Sequence, residues 1–146
     1  MSQLSADVRR FLAPPRLARL ATTNADGSPH VVPVWYLIDG DAFLITTRSG
    51  RVTARNIVRD GRVAMVVDTE DNSPHCPCVT VEGRAAMAPE LAERVAREVA
   101  VRYLGPEAGT AYAEKMLADR GRSAFRVQSE KIRSMNLPGP SGKGAR

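Results

Sequence analysis

The sequence predicts a mainly β domain with flanking helices, arranged as a small antiparallel barrel. Three observations lead there. Short alternating or β-branched stretches recur between turn signals from residue 17 to residue 87, a pattern of many short strands and not of a parallel doubly wound sheet. Asp39-Gly40 is a strong two-residue hairpin signal, so the strands around it run antiparallel. The order of elements is a helix, five strands interrupted by one short helix, two helices, and one or two last strands. At 146 residues the chain has the length of one domain, expected over residues 1–137, and such a domain buries about 70% of its unfolded surface.

Taken in order, Ser5 can cap a helix over residues 6–12 in which Val8, Phe11 and Leu12 share a face before Pro14 and Pro15 stop it. Residues 17–23 (LARLATT) alternate as a strand, NADG turns, and residues 29–38 (PHVVPVWYLI) form a second strand. Residues 41–47 (DAFLITT) return antiparallel, giving a three-stranded meander. Pro33 has no N–H to donate, so the second strand should carry a bulge or a free edge there. A short helix begins near Gly50 and ends at Arg59-Asp60-Gly61, with Gly61 suited to a left-handed C-cap. Strands follow over residues 63–68 and 78–87, with Gly83 marking a bulge.

Residues 89–104 repeat Leu91, Val95, Val99 and Tyr103 on one helical face, and the pairs Glu90–Arg94, Glu93–Arg97 and Glu98–Arg102 have the favoured i,i+4 order. A weaker helix over residues 107–118 carries Tyr112 and Met116, and strands are expected over residues 123–128 and 130–137. The tail, residues 138–146, is expected to be disordered.

Composition narrows the function. A net charge of +5 and a pI near 9.8 favour an anionic partner. Basic residues are spread along the chain, and three Phe, three Tyr and one Trp are too few for a base-stacking platform, which disfavours nucleic acid. The longest largely apolar run, residues 31–38, is far shorter than a membrane span, and MSQLSADVRR lacks a signal-peptide core, so the expected location is the cytoplasm. Only Lys115, Lys131 and Lys143 of the 21 basic residues are lysines, an arginine bias typical of a GC-rich bacterial genome. Cys76 and Cys78 are expected as reduced thiols. With His75 they offer three soft ligands, short of the four a structural zinc site needs. GPSGKG in the tail has the wrong glycine spacing for a phosphate loop, and neither GxGxxG nor GxSxG occurs.

One stretch does suggest binding. In TTRSGRVTARNIVRDGRVAMVV a strand ends, a basic glycine-containing loop follows, and a helix starts. Arg48 and Arg51 flank Ser49-Gly50, and Arg55 comes a turn later. Unpaired N–H groups and the positive end of a helix dipole there would meet guanidinium forks, which is an anion site in outline. A solvated basic turn is the competing interpretation.

The DGSPHVVPVWY strand, the TTRSGRVTARNIVRDGRV segment and the later VTVEGRAAM, in that order and spacing, resemble the flavin-binding split-barrel family of pyridoxamine 5'-phosphate oxidase-like proteins, and especially its branch that uses the deazaflavin coenzyme F-420. The resemblance implies a six-stranded antiparallel split barrel, a homodimer, and cofactor sites for F-420 or FMN at the dimer interface. By position, Val32, Pro33, Val34 and Trp35 would border the ring, with Thr46 and Thr47 near its polar edge. Arg48, Ser49, Arg51 and Arg55 would hold the phosphate, while Asn56 would cap or brace the helix. Thr53 occupies a place where related sequences often carry lysine, and Met135 one where they often carry tryptophan. The implied activity is hydride transfer to a small planar organic substrate, F-420 being favoured over FMN. The alternative is a non-catalytic protein that binds or stores a flavin, a deazaflavin or a tetrapyrrole.

Overall fold

The computed structural model describes residues 2–139, so most of the expected tail lies outside the described residues. Helix α1 (Ala6–Leu12) begins where Ser5 Oγ accepts the Val8 N–H at 3.2 Å, and it buries Val8, Phe11 and Leu12 against the sheet core. Strands β1 (Ala18–Thr23), β2 (Pro29–Val34), β3 (Leu37–Asp39), β4 (Ala42–Arg48), β5 (Arg62–Asp68), β6 (Cys78–Met87) and β7 (Arg122–Met135) form one antiparallel sheet in the order β2-β1-β5-β6-β7-β4-β3. Helix α2 (Val52–Arg59) connects β4 to β5. A 3-10 turn, Pro89–Leu91, leads into α3 (Ala92–Leu104), and α4 (Pro106–Leu117) packs back on α3.

The expected second strand is broken. Its two halves pair with different partners, β2 with β1 and β3 with β4, and they lie on opposite edges of the sheet, so the strand count is seven and not six and the meander is interrupted. Only Trp35 and Tyr36 separate them, which holds Val34 and Leu37 within about 11 Å. The sheet must therefore curl until its edges approach, and among the described residues no ladder joins β2 to β3 across that seam. Pro33 sits on this free edge, paired to Arg19 on one side only.

Tyr36, Phe43 and Phe125 are fully buried inside the curl, each contributing about 1.5–3 kcal/mol of hydrophobic stabilisation. Strands β6 and β7 run past each other for most of their length. The register shifts at Glu82/Gly83, where Glu82 faces Lys131 and Gly83 faces Ser129, so Glu130 is the extra residue of the expected bulge. This long β7 replaces the two separate final strands predicted from the sequence.

Three local expectations are corrected. Gly61 is not among the residues with positive φ. Its Cα instead passes so close to β6 that a Cβ would sit 2.7 Å from the Ala85 carbonyl oxygen. The hairpin loop is Gly40-Asp41, since Asp39 still pairs with Ala42, and Gly40 carries the positive φ of 63°. Of the three predicted helix ion pairs only Glu93–Arg97 forms, at 3.2 Å. Arg94 turns to Glu98, and Arg102 is drawn off to donate to the carbonyls of Leu12, Ala13 and Pro14, where it ties α3 to the end of α1.

Candidate functional site: the seam groove

Strand β3 covers only Ala42 to Leu44 of β4, leaving the β4 edge from Ile45 to Arg48 unpaired on the side that faces β2. A groove of about 300 Å³ opens between these two free edges. One wall is the inward face of β2, with His30, Val32 and Val34, and Pro33 beside them; the other is Thr46, Thr47 and Arg48. The start of α2 closes one end with Arg51, Val52 and Thr53, and β7 supplies Arg122 and the floor, Phe125. Edge strands carry unpaired backbone N–H and C=O groups, so a ligand in the groove meets hydrogen-bonding groups on both sides.

The charge lies at the α2 end. Arg51 is the N-cap residue of α2; no side chain caps the helix, and its first turn holds no acidic residue. The first N–H groups and the positive dipole end are thereby left for a ligand. Arg122, half-buried on β7, reaches Thr46 Oγ1 and the Thr47 carbonyl at 3.5 Å and the Met116 carbonyl at 3.4 Å. Burial and then the nearby Arg48 guanidinium lower its pKa, with Arg51 adding a smaller push. Of these arginines only Arg48 has an ion-pair partner among the described residues, Asp119 at 2.5 Å. The result is uncompensated positive charge around a helix start, which suits a phosphate or carboxylate.

The groove continues past Pro33, Val34, Thr46, Arg51 and Arg122, which it shares with a second chamber of about 390 Å³ bordered by Leu17, Trp35, Tyr112 and Met116. Of the residues expected at the site, the groove gathers Val32, Pro33, Val34, Thr46, Thr47, Arg48, Arg51 and Thr53, and Trp35 lines the second chamber. Ser49 and Arg55 line neither: Ser49 donates its backbone N–H to the Gly121 carbonyl at 2.8 Å, and Arg55 is exposed on α2. Thr53 is 7% exposed and lines the groove.

Asn56 braces the helix as expected. Its Nδ2 donates to Thr22 Oγ1 and Asn24 Oδ1, both at 3.0 Å, while its Oδ1 accepts from Arg59 at 2.9 Å. The middle of α2 is thus anchored to the end of β1 and the turn after it.

The family model described as pyridoxamine 5'-phosphate oxidase matches residues 4–136. The chain belongs to the pyridoxamine 5'-phosphate oxidase family. Within the family it is 33% identical over 104 residues, 70% of this chain and 71% of the relative, to an F-420H(2)-dependent biliverdin reductase of Mycobacterium tuberculosis (strain CDC 1551 / Oshkosh). A conserved hypothetical protein from Mycobacterium tuberculosis superposes with a TM-score of 0.77 at 29% identity, over 92% of this chain and 84% of that one. An F-420 reductase gives a TM-score of 0.68 at 25% identity, over 86% and 94%. The resemblance carried by the strand and loop motifs is therefore borne out, as is a mainly β, split-barrel-like sheet with flanking helices. No helix among the described residues is long and apolar enough to cross a membrane.

Four groove residues are not among the expected site residues: His30, Val52, Arg122 and Phe125. His30 lies two positions before Val32 on the same face of β2, so alternation alone could have added it. Arg122 has no local signal: it reaches the site because β7 pairs Arg122 with Arg48.

Proposed function

We propose that the chain is a flavin- or deazaflavin-dependent oxidoreductase, with F-420 favoured over FMN, acting by hydride transfer on a small planar organic substrate. What carries this reading is the groove's polarity: apolar along Val32 and Val34, cationic at Arg51 and Arg122, with an uncapped helix start between the free edges of β2 and β4. The donor set fits a planar ring bearing a phosphorylated side chain. Arg51 and the first N–H groups of α2 would hold the phosphate, Val32, Pro33 and Val34 would border the ring, and Thr46 and Thr47 would lie near its polar edge. When bound, such a cofactor supplies the hydride chemistry itself. The protein's part is to bind, orient and exclude water, which agrees with a groove that no described carboxylate lines. The kinship to an F-420H(2)-dependent relative favours the deazaflavin.

The same reading includes a homodimer. On the outer face of the sheet Val31 is 65% exposed beside Ala64 and Val66 in a shallow cavity, and the β2 edge is open, a surface suited to burial against a second copy. Sedimentation of the cofactor-loaded protein at micromolar concentration tests it; a strict monomer would count against it.

Absorbance titrations with FMN and with F-420 test the main reading, since the two chromophores differ. Saturable uptake of either, with oxidation of the reduced form accelerated by a planar acceptor, is expected. Uptake without acceleration by any acceptor would favour a binding or storage role, and no uptake of either cofactor would sink the reading.

A further inference from the structure

The second chamber has a wall that the groove does not share. Tyr112 and Met116 come from α4, Leu17 from the segment before β1, and Trp35 from the seam crossing. Tyr103 on α3 stacks on the indole with centroids 4.8 Å apart and planes within 9°, while Tyr112 stands tilted by 57° at 6.0 Å. One side of the indole is therefore held by Tyr103, and the ring borders open space together with Tyr112, which is 44% exposed. Rigid aromatic rings around a cavity favour a flat conjugated ligand, through offset stacking and edge contacts.

The opposite end of the chamber is polar. Arg51, Arg122 and Thr46 line it, no described carboxylate does, and neither arginine has an ion-pair partner among the described residues. With Arg51 given to the cofactor phosphate, a neutral flat ligand would leave the Arg122 charge uncompensated, whereas a carboxylate on the ring's edge would pair with its guanidinium fork. The volume, about 390 Å³, matches a ligand of two or three rings, near the lower end of small-molecule sites.

We propose that this chamber is the site for the organic substrate and selects a planar aromatic anion, its rings against Trp35 and Tyr112 and its carboxylate toward Arg122. Naming the occupant as substrate rests on the oxidoreductase reading; the binding itself does not.

Trp35 is the only tryptophan in the chain, so its emission reports the chamber without any cofactor. The probes are 2-naphthoate and the neutral 2-naphthalenemethanol, titrated into the cofactor-free protein. Naphthoate should quench Trp35 saturably and bind about tenfold tighter than the alcohol. Tyr112→Ala should weaken naphthoate about fivefold or more while the FMN and F-420 absorbance titrations and the Tm stay unchanged. The proposal is overturned if naphthoate gives no saturable quenching, if acid and alcohol bind alike, or if Tyr112→Ala weakens cofactor uptake as much as naphthoate. Naphthoate binding in a protein that takes up neither cofactor would support the anion site while sinking the oxidoreductase reading.

Discussion

Arg48 Nε lies 2.5 Å from Asp119 Oδ2, so the first arginine of the basic loop is already paired within the fold, and the proposed phosphate contact falls to Arg51. Arg51→Ala should weaken cofactor binding by about 10- to 150-fold, the worth of one charge-assisted contact, and the loss should shrink at high salt. Arg48→Ala should cost less, and Arg94→Ala on the exposed face of α3 should leave affinity unchanged. Cofactor titrations at two ionic strengths would show it. Equal, small effects at Arg51 and Arg94 would reduce the loop to a solvated turn.

Removing the Asn56 amide leaves Thr22 and Asn24 without their buried donor. Asn56→Ala should destabilise the fold by about 1–3 kcal/mol and, because α2 loses its anchor to β1, should also weaken cofactor binding. Denaturant unfolding beside the cofactor titration separates the two effects. Loss of stability with unaltered affinity would mean that the helix start holds its place without the brace.

A Cβ on Gly83 would stand 2.1 Å from the Gln128 carbonyl oxygen, which is backbone and cannot swing away. Gly83→Ala should therefore cost about 1–3 kcal/mol or more, in the range of overpacked cores, and lower Tm. A variant as stable as the parent would mean that the bulge at Glu130 absorbs the methyl group.

Burial raises the Tyr36 phenol from 10.0 to about 12, with Tyr103 adding to the shift and Arg102 opposing it. Because the folded state holds this proton more tightly, its contribution is complete below about pH 10 and is lost as the pH rises toward 12, a change of about 3 kcal/mol. In Tyr36→Phe the Leu12 carbonyl keeps Arg102 as a donor at 2.9 Å, so the variant should fold at neutral pH and lose less stability between pH 10 and 12. Unfolding curves across that window check it, and identical alkaline losses would show that Tyr36 is not the group responsible.

Local chemistry made much of this legible in the sequence. The Ser5 cap, the bounds of β6, the bulge at Gly83 and the free edge at Pro33 each follow from one residue's bonding capacity or from period-two alternation. The break at Trp35-Tyr36 does not, because neither glycine nor proline stands at it and the apolar run of residues 31–38 continues through it. What splits the strand is tertiary: Tyr36 OH donates to the Leu12 carbonyl and the Tyr36 N–H donates to Tyr103. Arg122 and Arg102 were missed for the same reason, since their partners lie far away in sequence.

The seam carries a mechanical consequence. Because no hydrogen-bonded ladder among the described residues spans it, widening the gap between β2 and β4 ruptures no rung of the sheet; the spacing is set by the dipeptide that crosses it and by what clamps that dipeptide. The clamp is Tyr103, which stacks on Trp35, receives the Tyr36 N–H at 3.2 Å and donates to the Arg16 carbonyl at 2.6 Å. The groove thus has the compliance of a sprung collar whose gauge is fixed from outside the sheet, by the Leu12 carbonyl that receives the Tyr36 hydroxyl and by Tyr103 on a helix that contributes no residue to the groove walls.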